Sequence, residues 1–188
     1  MNEVDPIRDR QKIEDLKNIL KAEERYRDLL WITIGLNSAL RIGDILGLKV
    51  KDVRKETSGY RSHIRLREQK TGKNNRHKIN DAMREAMDLF FEHNPAKEQE
   101  DYLFTTYAGQ MSRQRCDQII KDLTDRLGLE GQFATHSLRK TFGYHAIRQG
   151  VDPYILQSKF NHSSRRQTLD YCGLTYDDVD DAVDELNL

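Results

Sequence analysis

The sequence predicts a mostly α domain with one small antiparallel β-hairpin, an α+β fold class. Three observations predict it. Apolar residues recur at helical spacing over most of the chain, and cap residues stand where those runs begin. One stretch only, around residues 60–79, switches to alternation about a turn.

The elements follow in order. Asp5 and Pro6 are suited to open a helix on which Ile13, Leu16 and Leu20 share a face. Residues 24–39 are apolar on most sides, so a helix there is expected to be the central buried one. A short helix at 42–46 would set Arg41 and Asp44 on one face. Ile64 and Leu66 alternate with basic residues, Lys70-Thr71-Gly72-Lys73-Asn74-Asn75 has turn chemistry, and 76–79 is a second short run. The hairpin is therefore expected to carry Lys70.

Asn80 and Asp81 can cap a helix marked by Ala82, Met83, Ala86, Met87, Phe90 and Phe91 and ended before Pro95. Ser112 opens another, with Cys116, Ile119, Ile120, Leu123 and Leu127 inward and Gly128 closing it. The His136 segment is expected to be helical to Gly150. Asp152-Pro153 starts a helix that stops near Asn161, Tyr171 sits on or just after a short helix, and the residues from Asp177 form a last one. No repeat, low-complexity tract or domain linker interrupts this order.

A chain of 188 residues can bury a sizeable core, and with 37% apolar and 33% charged residues its helices must be strongly amphipathic. The formal net charge is zero, which taken alone argues against nucleic acid. However, Asp177, Asp178, Asp180, Asp181, Asp184 and Glu185 crowd the last dozen positions, where there is no Lys or Arg. Without those six, the 31 basic residues exceed the remaining acidic ones by six. The body is mildly basic and the tail is a separate acidic element.

Cys116 and Cys172 are too few for a disulfide framework or a zinc site, which points to a reducing cytoplasm. The first ten residues have no apolar signal core. The longest apolar run, 29–36, falls well short of the roughly 20 residues that span a bilayer. A cytoplasmic protein with no membrane partner is expected.

Three local contexts carry chemistry. Arg41 opens Arg41-Ile42-Gly43-Asp44 at the end of the most apolar stretch. His136-Ser137-Leu138-Arg139 puts an imidazole and a guanidinium three apart, which on a helix makes them neighbours. His162 follows Phe160-Asn161, and Tyr171 comes nine residues later in Thr168-Leu169-Asp170-Tyr171. With Lys70 these make an ordered set of six: Arg41, Lys70, His136, Arg139, His162 and Tyr171.

This set resembles the signature of the tyrosine recombinase (phage integrase) catalytic domain: Arg, a Lys on a β-hairpin, His-x-x-Arg, then His or Trp, then Tyr. The resemblance runs from about Leu16 to Tyr171. It departs at Asn161, where the family usually has Gly, and at Lys140, where many members have His. Asn tolerates a left-handed backbone, so the turn is expected to survive. The resemblance implies that fold over residues 1–175. It also implies a site-specific recombinase that cuts and rejoins DNA through a 3′-phosphotyrosine in integration, excision or inversion.

The roles follow from the chemistry of in-line attack on a phosphodiester. Negative charge grows on the non-bridging oxygens, and guanidinium groups bind such oxyanions bidentately, hence Arg41 and Arg139. Lys70 would protonate the leaving 5′ oxygen. Tyr171 would be the nucleophile, with His136 as proton acceptor and His162 hydrogen-bonded to a phosphate oxygen. Asp44 would hold Arg41 or a nearby histidine. Lys73, Arg76, Arg113, Arg115, Lys140, Arg165 and Arg166 are candidate contacts to the DNA backbone.

The expected partner is double-stranded DNA, with self-association as dimer or tetramer on it. By resemblance, no metal, ATP or other cofactor and no small-molecule substrate are implied. Relatives commonly carry a helical core-binding domain before this one. Here the pattern begins almost at Met1, so none is expected, as in an excised fragment or a short member such as a fimbrial phase-variation invertase. In relatives the last helix docks on a neighbouring subunit. Tyr176, Val179, Val183 and Leu186 give residues 176–188 a face for docking in trans, and folding back in cis is the alternative.

Other readings are weaker. Alone, each of the six residues has a bland explanation: a surface pair, a solvated hairpin tip, one tyrosine among eight. Ser137-Leu138-Arg139-Lys140 and Lys70-Thr71-Gly72 imitate serine β-lactamase fragments, but in reversed order and without Ser-Asp-Asn between. Gly72-Lys73 lacks the upstream Gly of a phosphate loop. A type IB topoisomerase and a non-catalytic DNA-binding regulator remain as functional alternatives.

Overall fold

In a computed structural model the chain forms a mostly helical domain with two small antiparallel ribbons. The structure describes residues 4–67, 72, 74–95, 97–174, 178, 180, 183 and 184. Helix α1 (Arg10–Ala22) is followed by α2 (Tyr26–Ser38), the short α3 (Ile42–Leu46) and α4 (Val50–Val53). Strands β1 (His63–Arg67) and β2 (Asn74–Lys78) form the hairpin, then come α5 (Asp81–Glu92) and the ribbon of β3 (Thr105–Thr106) and β4 (Gly109–Gln110). Helices α6 (Arg113–Arg126), α7 (Thr135–Arg148), α8 (Pro153–Phe160) and α9 (Arg165–Cys172) complete the order.

The apolar run of α2 makes it the axis. Leu29, Leu30, Trp31, Ile32 and Ile34 are all buried, and α1, α3, α5 and α7 pack around it. At Gly35 the absence of a Cβ admits Leu138 of α7, whose side chain would lie 2.8 Å from an added methyl. One large core spans α1 to α6 and takes in Leu138 of α7. A second, smaller cluster joins Ala39, Leu156, Phe160 and Cys172, with Phe142, Ala146, Ile147, Val151 and Tyr171 packed on it.

The caps act as the sequence suggests for α5 and α6, where Asn80 and Ser112 accept from the backbone N–H of Met83 and Arg115. Asp152 accepts from Tyr154 N and Pro153 occupies the first turn of α8. Other details differ. Asp5-Pro6 does not open α1, whose cap is Asp9, with its side chain accepting from Gln11 N. Asp5 instead bonds the backbone of Gln132, and Pro6 abuts Gly173 at the end of α9. Because a longer-range backbone pairing satisfies Asp5, the helix waits for the next acidic cap.

The hairpin pairs His63 with Lys78 through Arg67 with Asn74, so its second strand begins earlier than the turn chemistry suggested. Ile64 and His77 face inward and are buried. His77 Nδ1 bonds the Ser38 carbonyl, and Lys159 Nζ donates to the Arg76 carbonyl at 3.0 Å. These contacts tie the hairpin to the end of α2 and to α8. Helix α4 and the β3–β4 ribbon have no periodic signal of their own in the sequence, being too short to show one. No helix among the described residues is long and apolar enough to cross a membrane.

Candidate active site

Two left-handed turns set the site's walls. Helix α2 ends at Ala39 (φ 59°), and α8 ends at Asn161 (φ 56°). Asn suits that conformation, so the family's Gly is replaced without losing the turn. Ala39 does not suit it, and neighbouring contacts hold the reversal: Ser38 Oγ donates to the Ile34 carbonyl at 2.7 Å and accepts from Leu40 N at 3.2 Å. The chain then leaves in extended backbone through Arg41 (φ −76°, ψ 150°), the N-cap of α3. Arg41 therefore stands at the N-cap of α3, three residues before Asp44. Asp44 is buried in the first turn of α3.

Arg139 is the hub. It is buried on α7, donating Nη1 to the Ala39 carbonyl and Nη2 to the Phe160 carbonyl at 3.0 Å, with its guanidinium carbon 4.7 Å from the Phe160 ring centre. The two backbone turns are thus bonded to one side chain, with Arg41 two residues after Ala39 and His162 two after Phe160. A guanidinium has five N–H donors, so two carbonyls do not exhaust it. Its charge also reaches the Tyr171 phenol.

Tyr171 lies on α9, half-buried against Phe160 (ring centres 5.4 Å) and His162 (4.9 Å, planes 72° apart). Burial pushes its phenol above the ordinary value, against the opposing pull of Arg139 and Arg41. The same two charges reach both histidines. Burial lowers the His162 imidazole, and Arg139 and Arg41 lower it further. His136, in the first turn of α7, is lowered by burial and by Arg113, Arg139 and Arg41, with Asp117 opposing. Arg41 and Arg139 therefore act together on His136, His162 and Tyr171, against imidazolium at the two histidines and, opposing burial, toward ionisation at the phenol.

Lys70 and Lys73 lie outside the described residues, as do Tyr176, Val179 and Leu186 of the tail. Of the tail, Asp178 accepts from the Tyr144 hydroxyl on α7 of the same chain at 2.8 Å, while Val183 is exposed. Arg76, Arg113, Arg115, Arg165 and Arg166 are exposed. Arg113 is 3.6 Å from Asp117, Arg166 is 3.7 Å from Asp170, and Arg165 lies over the Tyr154 ring. Lys140 differs from this set. It is buried, its ammonium 5.6 Å from the Tyr171 ring centre, on the inner side of the molecule with Tyr171 and not with the exposed arginines.

Sequence reasoning missed Thr168. It is fully buried on α9, one turn before Tyr171, and its Oγ1 lies 3.1 Å from His162 Nδ1. The only signal was a polar residue on the inward face of a short helix. It also missed Gly143 of α7, where an added methyl would collide with Cys172 Sγ and lie 2.9 Å from Phe160.

Comparison with known proteins gives the family and the fold. A model of the phage integrase family matches residues 9–178. The probable integrase/recombinase YoeC of Bacillus subtilis is 35% identical over 179 residues, covering 94% of this chain and 93% of that one. Tyrosine recombinase XerA of Pyrococcus horikoshii is 24% identical over 93% of this chain but only 60% of its own length. Among solved structures, XerA recombinase superposes with a TM-score of 0.79 at 18% identity, over 100% of this chain and 66% of that one. XerH site-specific recombinase bound to palindromic difH substrate gives 0.75 at 20%, over 100% and 54%. The helical fold with its small hairpin is that of tyrosine recombinase catalytic domains, and the chain belongs to the phage integrase family.

Proposed function

We infer that this protein is a site-specific recombinase that breaks and rejoins duplex DNA in the cytoplasm, through a covalent bond between Tyr171 and a 3′ phosphate. The observation that carries it is the placement of the Tyr171 ring 5.4 Å from Phe160, whose carbonyl buried Arg139 holds, with the charges of Arg139 and Arg41 both reaching the phenol. A phosphodiester entering there would meet two guanidiniums, and negative charge developing in the transition state would strengthen both contacts. The phenol would attack in line, Lys70 would protonate the leaving 5′ oxygen, and His136 and His162 would handle the phenol proton and a phosphate oxygen. The exposed arginines 76, 113, 115, 165 and 166 would grip the flanking backbone, with strong salt dependence. Self-association on DNA would follow from the pairing of two cut strands.

The test uses a nicked suicide duplex carrying the natural site, found by sequencing the flanks of the encoding gene for inverted repeats. The protein is expected to form a covalent adduct with it, in excess chelator as without it. Tyr171→Phe is expected to bind the duplex and form none, a loss of roughly 10⁴-fold or more. An adduct from the Phe variant, or none from the wild type, would overturn the reading. Relaxation of supercoiled DNA without a defined site would instead favour a topoisomerase.

A further inference from the structure

We propose that Thr168 is a positioning residue that sets the tautomer of His162, so that Nε2 enters the reaction as a lone pair and takes the phenol proton of Tyr171. This rests on the recombinase reading and deepens it, by naming which of the two imidazoles accepts the proton. The Thr168 hydroxyl has two neighbours: His162 Nδ1 at 3.1 Å and the Ser164 carbonyl at 3.3 Å. A carbonyl oxygen can only accept, so the single hydroxyl proton goes to Ser164, and the bond to His162 must then be donated by Nδ1–H. A neutral imidazole carries one proton, so Nε2 is left as an acceptor.

The surroundings keep the ring neutral before DNA arrives. Arg139 from α7 and Arg41 from the cap of α3 both act against an imidazolium, and Tyr171 from α9, protonated and buried, offers no compensating charge. A ring with a lone pair at Nε2 repels a phosphate oxygen. It becomes a phosphate donor only after gaining a proton, and the Tyr171 ring is 4.9 Å away, centre to centre. As Tyr171 Oη bonds to phosphorus and the bond to the 5′ oxygen breaks, the phenol proton passes to Nε2. The resulting imidazolium then donates to the phosphate, while the leaving 5′ oxygen takes its proton from Lys70. Rejoining reverses each transfer.

The backbone holds the ring for this task. His162 N donates to the Gln157 carbonyl at 3.0 Å, Gln157 Nε2 donates to the His162 carbonyl at 3.4 Å, and Phe160 flanks the ring at 5.3 Å. Thr168 and Tyr171 lie on one helix, one turn apart, so the docking of α9 sets the nucleophile and its proton acceptor together.

Two measurements decide it. In nitrogen-15 spectra of the free protein at about pH 7.5, with His162 assigned through His162→Gln, Nδ1 is expected to be the protonated nitrogen. The opposite tautomer overturns the proposal without any activity being needed. On the suicide duplex, Thr168→Val is expected to slow adduct formation roughly tenfold. It should also move the acid limb of the pH–rate profile to lower pH, because the imidazolium loses an acceptor, and Thr168→Ser should restore both. A Val profile that superimposes on the wild type, or a Ser variant no better than Val, also overturns it. Failure of the wild type to form any adduct is a different result, which sinks the recombinase reading and leaves the spectra to judge the tautomer.

Discussion

Gly143 of α7 faces Cys172 of α9 so closely that no side chain fits between them. The helix carrying Tyr171 is thereby seated on the helix carrying His136 and Arg139. Gly143→Ala is expected to destabilise the fold by about 1–3 kcal/mol through overpacking. It should also lower cleavage more than DNA binding, since α9 must shift. Thermal melts paired with adduct assays check this. Unchanged cleavage would mean that α9 adapts without moving the phenol.

Arg139 joins two chain turns as well as facing the nucleophile. Arg139→Ala leaves the Ala39 and Phe160 carbonyls buried without their donor, at a cost of about 3 kcal/mol. The melting temperature should fall on the order of 10 °C for a chain of this size. Arg139→Lys keeps a charge but cannot fork between two carbonyls, and is expected to recover only part of the stability. A lysine variant as stable as wild type would show that the fork matters less than the charge.

His136, His145 and His162 are all held below the ordinary imidazole value of 6.5, chiefly by burial. The unfolded chain therefore binds these protons more readily than the folded one. Their contribution to stability is whole above 6.5 and is lost as pH falls through the lower folded values. Denaturation midpoints are expected to drop between about pH 7.5 and about pH 5.5, and His145→Gln, outside the active site, should flatten the slope. A midpoint that held steady or rose over that range would contradict the assignment.

Asn161 adopts the left-handed conformation at the end of α8, one residue before His162. Asn161→Gly is expected to preserve cleavage and change stability by less than about 1 kcal/mol. Asn161→Val, strained at that backbone angle, should cost about 1–2 kcal/mol. Urea unfolding of the two variants separates these outcomes, and equal costs would show that side-chain contacts dominate.

Much of this protein is legible in its linear order, because its governing signals are local. Helical periodicity exposes α2 as the buried axis, side-chain caps mark where α5, α6 and α8 begin, and Asn161 announces its own turn. The six-residue signature names the chemistry. Tertiary structure alone decides the rest, because the partners are backbone atoms with no residue-type signal. Nothing in the identity of Ala39 or Phe160 says that their carbonyls will meet Arg139, and Ala39 turns left-handed against its own preference. Lys140 reads in the sequence as a candidate contact to the DNA backbone, and only packing shows it buried, with its ammonium beside the Tyr171 ring. Thr168 reads as a helix residue until the fold brings His162 to its hydroxyl.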